Sequence, residues 1–461
     1  MISVGFKKQK HRPRIGTLDL QHDFPVIVQP VMLFPRLRLA ITALLATTRL
    51  AHASTSSEQE QFNDVTWDDD NWVLSTRTLD QGHYQSRLSL ANGYFGLSVA
   101  AVGPFFEVDE QVGANGVSGW PLFSKRQTFS TIAGFYNNQE RTNGSNYPWL
   151  YQYGSDSMIA GIPHWSGIHV EANGEMLNAS VNPEHISDFV TSLDVKGGIA
   201  SWKYNWKPGG SSDGTIDVDY QLFIHKLYVN QAAVRLRLTA SRDMNVTIFD
   251  VLDGDCAVRS QFVKKKFEED TPTIWTAVSP GNISNITAYV YSTLAADEWA
   301  DLQTRSRVKD GRFNSHNSTI AQSIDVRLSA SKPHEIKKFV GVASSDAFKD
   351  PQAVARNASV YEVDIGYYKL LHSHIEEWSM IMAPEAVDSY RLPNGSLPSD
   401  PSVRELHILA HTNPFFLLSH MVGPNAVAAA DNNTRLDVNS IPVCGFGADC
   451  YGGQIYCKCP F

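Results

Sequence analysis

Ile216-Asp217-Val218-Asp219-Tyr220-Gln221-Leu222-Phe223-Ile224 alternates apolar with polar side chains over most of its length. That period of two places one set of side chains on each face of a β-strand. The pattern extends outward in both directions. Trp202, Tyr204 and Trp206 alternate with polar residues upstream, Val234, Leu236 and Leu238 follow the Val229-Asn230-Gln231 turn, and Ile324, Val326 and Leu328 repeat the spacing later in the chain. In Gly167-Ile168-His169-Val170-Glu171-Ala172-Asn173-Gly174-Glu175-Met176-Leu177, the Asn-Gly pair is a two-residue turn that needs positive φ, flanked by alternating apolar positions. This predicts a hairpin. From about Trp72 to Val342 helical spacing is almost absent, so the chain is mainly β, a large antiparallel β-sandwich rather than a series of βαβ units.

The period changes after Asp350-Pro351. Val360, Val363, Tyr367, Leu370, Leu371, His374, Trp378 and Ile381 recur at three and four, which predicts one face of a single long helix ended by Pro384. The stretch Leu392-Pro393-Asn394-Gly395-Ser396-Leu397-Pro398-Ser399-Asp400-Pro401 reads as a linker or surface loop. Val403, Leu406, Ala410, Leu417 and Met421 then begin a second helix, which Pro414 either kinks or breaks. These helices lack evident partners, so Leu406, Phe415, Phe416, Leu417 and Leu418 are expected to be exposed and to promote association. Trimming at about Asp350 is expected to leave a better-behaved sandwich. No internal repeat or low-complexity tract is present.

The 461 residues carry 39 Lys plus Arg against 48 Asp plus Glu, a formal charge of −9, and 43% hydrophobic residues. No basic surplus is available to neutralise a phosphate backbone, so a nucleic-acid partner is not expected. Five cysteines are too few for a disulfide scaffold, and an odd number leaves one unpaired within the chain. Cys444, Cys450, Cys457 and Cys459 match none of the common structural zinc spacings. No metal or other cofactor is expected.

Met32 to Arg38, the apolar run Leu39–Ala46 and Ala51-His52-Ala53-Ser54 have the order of a secretory signal with an A-x-A cleavage site. The run is far shorter than the ~20 residues of a membrane-crossing helix, so no permanent span is expected. Residues 32–53 are thus a signal, Met32 reads as the true start, and residues 1–31 as an extension preceding it. Asn-x-Ser/Thr sequons at Asn143, Asn178, Asn245, Asn282, Asn285, Asn317, Asn357, Asn394 and Asn432 all lie downstream. They are the glycosylation candidates of a secreted protein, destined for the cell wall, the extracellular space or the vacuole.

Asp68-Asp69-Asp70, Asp109-Glu110, Glu268-Glu269-Asp270 and Glu376-Glu377 are adjacent in sequence. Neighbouring residues point in different directions, so each cluster reads as solvated surface rather than as a catalytic pair. His372 and His374 are two apart, the wrong spacing to share a metal on a helix, and His374 reads as a histidine at the edge of the core. The sequence has no G-x-S-x-G, H-E-x-x-H or P-loop motif.

A set of ordered motifs goes further. Trp72 to Gln85 with Asn92-Gly93-Tyr94-Phe95-Gly96, Ala133-Gly134-Phe135-Tyr136, Gly161-Ile162-Pro163-His164-Trp165, Leu193-Asp194-Val195-Lys196-Gly197 and Tyr451-Gly452-Gly453-Gln454-Ile455-Tyr456 together resemble the fungal acid trehalases of glycoside hydrolase family 65. The resemblance runs from about residue 65 to Tyr456. It implies an N-terminal β-sandwich at 54–345, a helical linker at 346–400 and, at 401–461, the start of an (α/α)6 catalytic barrel. It also implies inverting hydrolysis of trehalose by a Glu general acid and a second carboxylate that activates water, the two groups about 6.5–9.5 Å apart.

By that resemblance both catalytic groups lie beyond Phe461, so no catalytic residue is assigned here and the chain as written is expected to be inactive. Where the family continues with a Trp-Asp pair, this chain has Cys457-Lys458-Cys459-Pro460-Phe461, which reads as translation through a splice donor. The expected partner is trehalose or a related disaccharide, and a homodimer is left open. Two other functions compete: a disaccharide phosphorylase of the same family, which the secretion signal disfavours, and a non-catalytic sugar-binding sandwich carrying its sugar on the Trp202, Tyr204, Trp206 stripe.

Overall fold

Trp202, Tyr204 and Trp206 pair across to Tyr220, Val218 and Ile216 in antiparallel register, and all six side chains are buried. The alternating stripe is therefore core, as β-branched and aromatic side chains on one face of a pleated strand dictate. The computed structural model describes residues 64–82, 88–109, 126–140, 155–210, 214–297, 299–384 and 387–429. The signal and its preface, Glu110, Asn143, Asn432, the four tail cysteines and the Tyr451–Tyr456 motif lie outside the described residues.

A ten-stranded sheet runs in spatial order Val65–Asp68, Val73–Thr76, Ile186–Asp194, Ile199–Trp206, Ile216–Ile224, Gln231–Ala240, Pro333–Ser344, Ala288–Ala296, Thr273–Pro280, Ser260–Phe267. Against it lies a five-stranded sheet of Glu175–Leu177, Ile168–Ala172, Met244–Leu252, Ile320–Leu328 and Ser306–Arg307. A four-stranded sheet is made by Ser89–Ala91, Phe95–Ser98, Ser130–Glu140 and Ser155–Gly161. Every pairing in these sheets is antiparallel. The expected hairpin is present, with Asn173 at φ 49° and Gly174 at φ 77°, the pair of left-handed residues that matches strand twist.

The two larger sheets share one apolar core and one buried ion pair. Lys338 Nζ lies 2.6 Å from Asp250 Oδ1, with both side chains at 0% exposure. The ammonium also donates to the carbonyls of Gly167 and Val251, while Asp250 accepts from Ser292 and Gln322. Each charge buried between the sheets is thus matched by hydrogen bonds, those of Lys338 to the five-stranded side and those of Asp250 from both sheets.

The helical region departs from the expected single long helix. Helix α1 (Pro351–Ile365), capped by Asp350 accepting from Ala353 N–H, ends at Gly366, and α2 (Tyr367–Ile381) starts immediately after it. Gly366 has φ 86° and ψ 145°, backbone that only glycine adopts without strain and that no helix can continue through. The apolar spacing survives the break because α1 and α2 both lie on the sheet. A Cβ on Gly341 would meet Ala355 O at 1.9 Å, which measures how closely α1 approaches the strand beneath it.

Helix α3 (Pro401–Ser419) runs through Pro414 unbroken, and α4 spans Pro424–Ala429. The inward face of α3 is not the one its leucines suggest. His407, His411, Thr412, Phe415 and Ser419 are buried, whereas Leu406, Leu409, Phe416 and Leu417 are exposed. Phe415 and Leu418 therefore depart from the expected exposed set: Phe415 packs on Trp378 at 4.9 Å between ring centres, and Leu418 is half-buried against the core.

Candidate functional site

Three of the motifs that carried the family resemblance, those at Trp72, Asn92–Gly96 and Leu193–Gly197, meet at the joint between sheet and helices. Asn92 is fully buried. Its Oδ1 accepts from the N–H groups of Tyr94 (2.9 Å) and Phe95 (3.1 Å), and its Nδ2 donates to the carbonyls of His225 (2.9 Å) and Val229 (2.8 Å). One amide therefore shapes its own turn and ties it to the 225–229 loop. Gly93, at φ 95°, has no room for a side chain, since a Cβ would sit 2.1 Å from the Met421 carbonyl carbon. Tyr94 extends the joint by accepting from Ser344 N–H at 2.9 Å.

Leu193-Asp194-Val195-Lys196-Gly197 forms the second contact. Asp194 Oδ1 accepts from Lys196 and Gly197 N–H, and burial raises its pKa against those two bonds. The turn brings Gly198 under α2, where a Cβ would lie 2.2 Å from Trp378 Nε1. Gly198 O faces His374 Nε2 at 3.1 Å, and His374 Nδ1 accepts from Lys226 N–H at 3.1 Å. These partners define the tautomer, with the proton on Nε2. His374 is completely buried rather than at the core edge; burial pushes its pKa down to about 3 and keeps it neutral.

Lys226 closes the joint. Its Nζ donates to Leu418 O (2.6 Å) and Met421 O (2.7 Å), at the carbonyl end of α3, and stands 4.8 Å from the Trp378 ring centre. A cation at a helix C-terminus satisfies carbonyls that have no partner within the helix. Burial pushes its pKa down to about 7, opposed by the Glu377 carboxylate. Glu377 is buried, contrary to the surface reading of Glu376-Glu377, and accepts from Asn425 on α4; Glu376 does face solvent, beside His372.

A second clamp joins the first strand to α3. Asp69 accepts from Trp67 Nε1 (3.2 Å) and His407 Nε2 (2.5 Å) and pairs with Arg391. Burial would raise its pKa, but these hydrogen bonds and charges hold it below the ordinary value. Trp72 packs edge-on against His411 at 4.4 Å. The Asp68-Asp69-Asp70 run is thus surface only in part.

The remaining motifs are close-packing sites. Gly134, at φ 75°, has Asp346 Oδ2 1.9 Å from where a Cβ would be, and Gly161 has Cys256 O at 2.4 Å. His164 Nε2 bonds Ser98 O, and burial lowers its pKa to about 4. These residues present no acid, base or nucleophile to solvent; they hold one surface against another.

Of the sequons among the described residues, Asn245, Asn282, Asn285, Asn317, Asn357 and Asn394 are exposed and Asn178 is half-buried. Asn394 Oδ1 accepts from both the N–H and the Oγ of Ser396. The Trp202–Trp206 stripe is buried, which removes it as a sugar-binding surface. Among the described residues no three His, Cys, Asp or Glu side chains are grouped to hold a metal ion, and no helix is long and apolar enough to cross a membrane. Sequence reasoning missed Lys226 and Glu377 because their partners lie far along the chain. The paired glycines at 197 and 198 were the available signal of close approach.

Comparison with known proteins places this joint in context. The chain is 45% identical over 406 residues to the acid trehalase of Emericella nidulans, covering 87% of this chain and 38% of that protein. It is 47% identical over 399 residues to the cell wall acid trehalase of Arthroderma benhamiae, covering 86% and 37% respectively. The chain therefore spans well under half the length of these relatives. In fold it is similar to a solved structure from the human microbiome described as a kojibiose phosphorylase, with TM-score 0.55 and 12% identity over 78% of this chain and 42% of that one. Residues 74–381 match the N-terminal domain of glycosyl hydrolase family 65, and since that match takes in the sandwich, α1, α2 and most motifs of the joint, the chain belongs to glycosyl hydrolase family 65.

Proposed function

We propose that this chain is the N-terminal part of an acid α,α-trehalase that hydrolyses trehalose to two glucose molecules with inversion. The supporting observation is the 45% identity to an acid trehalase across 406 residues. Within that enzyme the sandwich is a rigid mount. Asn92, Gly93 and Lys226 fix the end of α3 and the turn into α4, and so fix the direction in which the following helices leave the sheet. Inverting hydrolysis needs an acid and a base on opposite sides of the scissile bond with room for water between them, a separation that depends on how helices are held. The protein is secreted in this reading. The name of the Arthroderma relative, a cell wall protein, supports it together with the signal-like segment and the sequons, which we assign as glycosylation sites.

A chimaera tests the activity. Residues of this chain replace the aligned segment of the Emericella enzyme, and glucose and glucose 1-phosphate are measured with trehalose, with and without phosphate. Phosphate-independent glucose release is expected. A folded chimaera without activity overturns the proposal, and phosphate-dependent glucose 1-phosphate would favour the phosphorylase. Sedimentation velocity on the same preparations tests the homodimer.

A further inference from the structure

Strand Ser260–Phe267 forms one edge of the ten-stranded sheet. Lys264, Lys265 and Lys266 guard it in the manner usual for an open edge. Phe262 and Val263 break that pattern, 40% and 47% exposed. The register slips between Phe262 and Lys264, a bulge that sets two residues opposite one and leaves both apolar side chains in solvent. An apolar pair on an open edge invites pairing with another chain unless something lies over it. Beside that edge stands a glycan acceptor, the sequon Asn317-Ser318-Thr319. Thr319 N–H donates to His316 O at 3.0 Å, closing a turn on which Asn317 is exposed. Lys265 Nζ reaches from the edge strand to Thr319 O at 2.8 Å, so strand and turn are fastened together. Asn317 and Phe262 border one pocket of about 310 Å³ with Asp255, Ser315 and His316.

We propose that Asn317 is glycosylated and that its first N-acetylglucosamine lies across Phe262, covering the apolar pair and closing the sheet edge. The sugar is delivered by its covalent attachment and needs no affinity of its own. Its C–H face and acetyl methyl complement an exposed aromatic side chain, while its hydroxyls stay in solvent. Transfer precedes folding, because the sequon hydroxyl of Thr319 is buried in the fold, donating to Asn314 Oδ1 and accepting from Gly254 N–H. In that step Asn317 Nδ2 bonds the anomeric carbon of an oligosaccharide carried on a lipid diphosphate. The anomeric C–O bond breaks, the diphosphate leaves with its electron pair, and the Nδ2 proton passes to solvent. The inference rests on the secretion proposed above and assigns one of its sequons a structural task.

The test uses the full chain secreted from a glycosylating fungal host, its glycans trimmed enzymatically to single N-acetylglucosamines. Peptide mass spectrometry reads occupancy, and carbon–proton correlation NMR reads the acetyl methyl groups. Asn317 is expected to be occupied. One acetyl signal, absent from Asn317→Gln, is expected upfield of the others through the ring current of Phe262, with nuclear Overhauser contacts to that ring. It should return to the position of the others in Phe262→Thr, a substitution at an exposed site with occupancy unchanged. Asn317→Gln is expected to lower the thermal midpoint by about 1–3 °C, and to lower it no further in the Phe262→Thr background. An unmodified Asn317 beside other occupied sequons overturns this proposal and leaves secretion standing, whereas a secreted chain with no glycan at all overturns this proposal together with the glycosylation assigned above. An acetyl signal at Asn317 with no Overhauser contact to Phe262 and no response to Phe262→Thr overturns the packing.

Discussion

Gly93 and Lys338 show how single residues hold this molecule together in opposite ways. Gly93 works by what it lacks. An alanine there combines unfavourable φ of 95° with backbone atoms at 2.1 Å, so Gly93→Ala is expected to lower stability by about 3 kcal/mol or more, read from the urea midpoint. An unchanged midpoint would mean that the α3–α4 turn yields freely. Lys338 works through its charge. Lys338→Met leaves Asp250 buried and uncompensated, an expected loss of about 3–5 kcal/mol, and adding Asp250→Leu should recover most of it because a packed apolar pair avoids desolvating two ions. A double variant no more stable than the single one would place the loss in packing rather than in the orphaned charge.

At the scale of elements, α3 inverts the usual amphipathic rule. Its buried face is His407, His411, Thr412, Phe415 and Ser419 because partners were ready for them: Asp69, Trp67, Trp72 and Trp378. Phe415→Ala is expected to cost about 3–5 kcal/mol. Leu417→Lys, at a site 69% exposed, should alter stability by no more than about 0.5 kcal/mol while reducing association in light scattering; equal effects of the two variants would contradict the assigned faces. The structure also reverses the trimming expectation. Phe223, Ala233 and Phe339 on the sheet form a cluster with Tyr367 and Leu370 of α2, so a chain cut at Asp350 exposes a new apolar patch and should aggregate more than the full chain.

For the whole molecule, buried titratable groups set the response to acid. His164, His169 and His374 have pKa values near 4, 3 and 3, and His225 is also lowered, in each case chiefly by burial. Between pH 6.5 and 4.5 these imidazoles gain protons in the unfolded chain but not in the folded one, so stability falls as pH falls. Asp253 and Glu362 act oppositely, since burial raises them to about 6 and about 7 and the folded state keeps protons that the unfolded state has released. Asp194 is raised as well, but His316, His334 and His411 are lowered alongside the other four, so among the described residues seven lowered imidazoles outweigh three raised carboxyls. The unfolding free energy from urea titration is therefore expected to drop from pH 6.5 to 4.5, by about 1–3 kcal/mol per pH unit, and more steeply in Glu362→Gln, which removes one of the opposing carboxyls. A flat or rising free energy would show that these histidines are charged in the fold.

Much of this was present in local sequence. The alternation at Ile199–Trp206 and Ile216–Ile224, the Asn173-Gly174 turn and the Asp-Pro starts of α1 and α3 each depend on neighbours a few residues away, so propensity, capping and period sufficed to determine a mainly antiparallel sandwich followed by helices. The break at Gly366 was written there too, but the unbroken apolar spacing masked it. What only the tertiary structure decided is which faces and charges are buried. Lys226 meets α3 nearly two hundred residues downstream, Glu377 meets Asn425, and Glu362 and Gln231 reach one cavity from a helix and a strand that are remote in the chain. Such contacts leave no periodic trace, because a side chain's burial is set by the surface that folds against it rather than by its own neighbours.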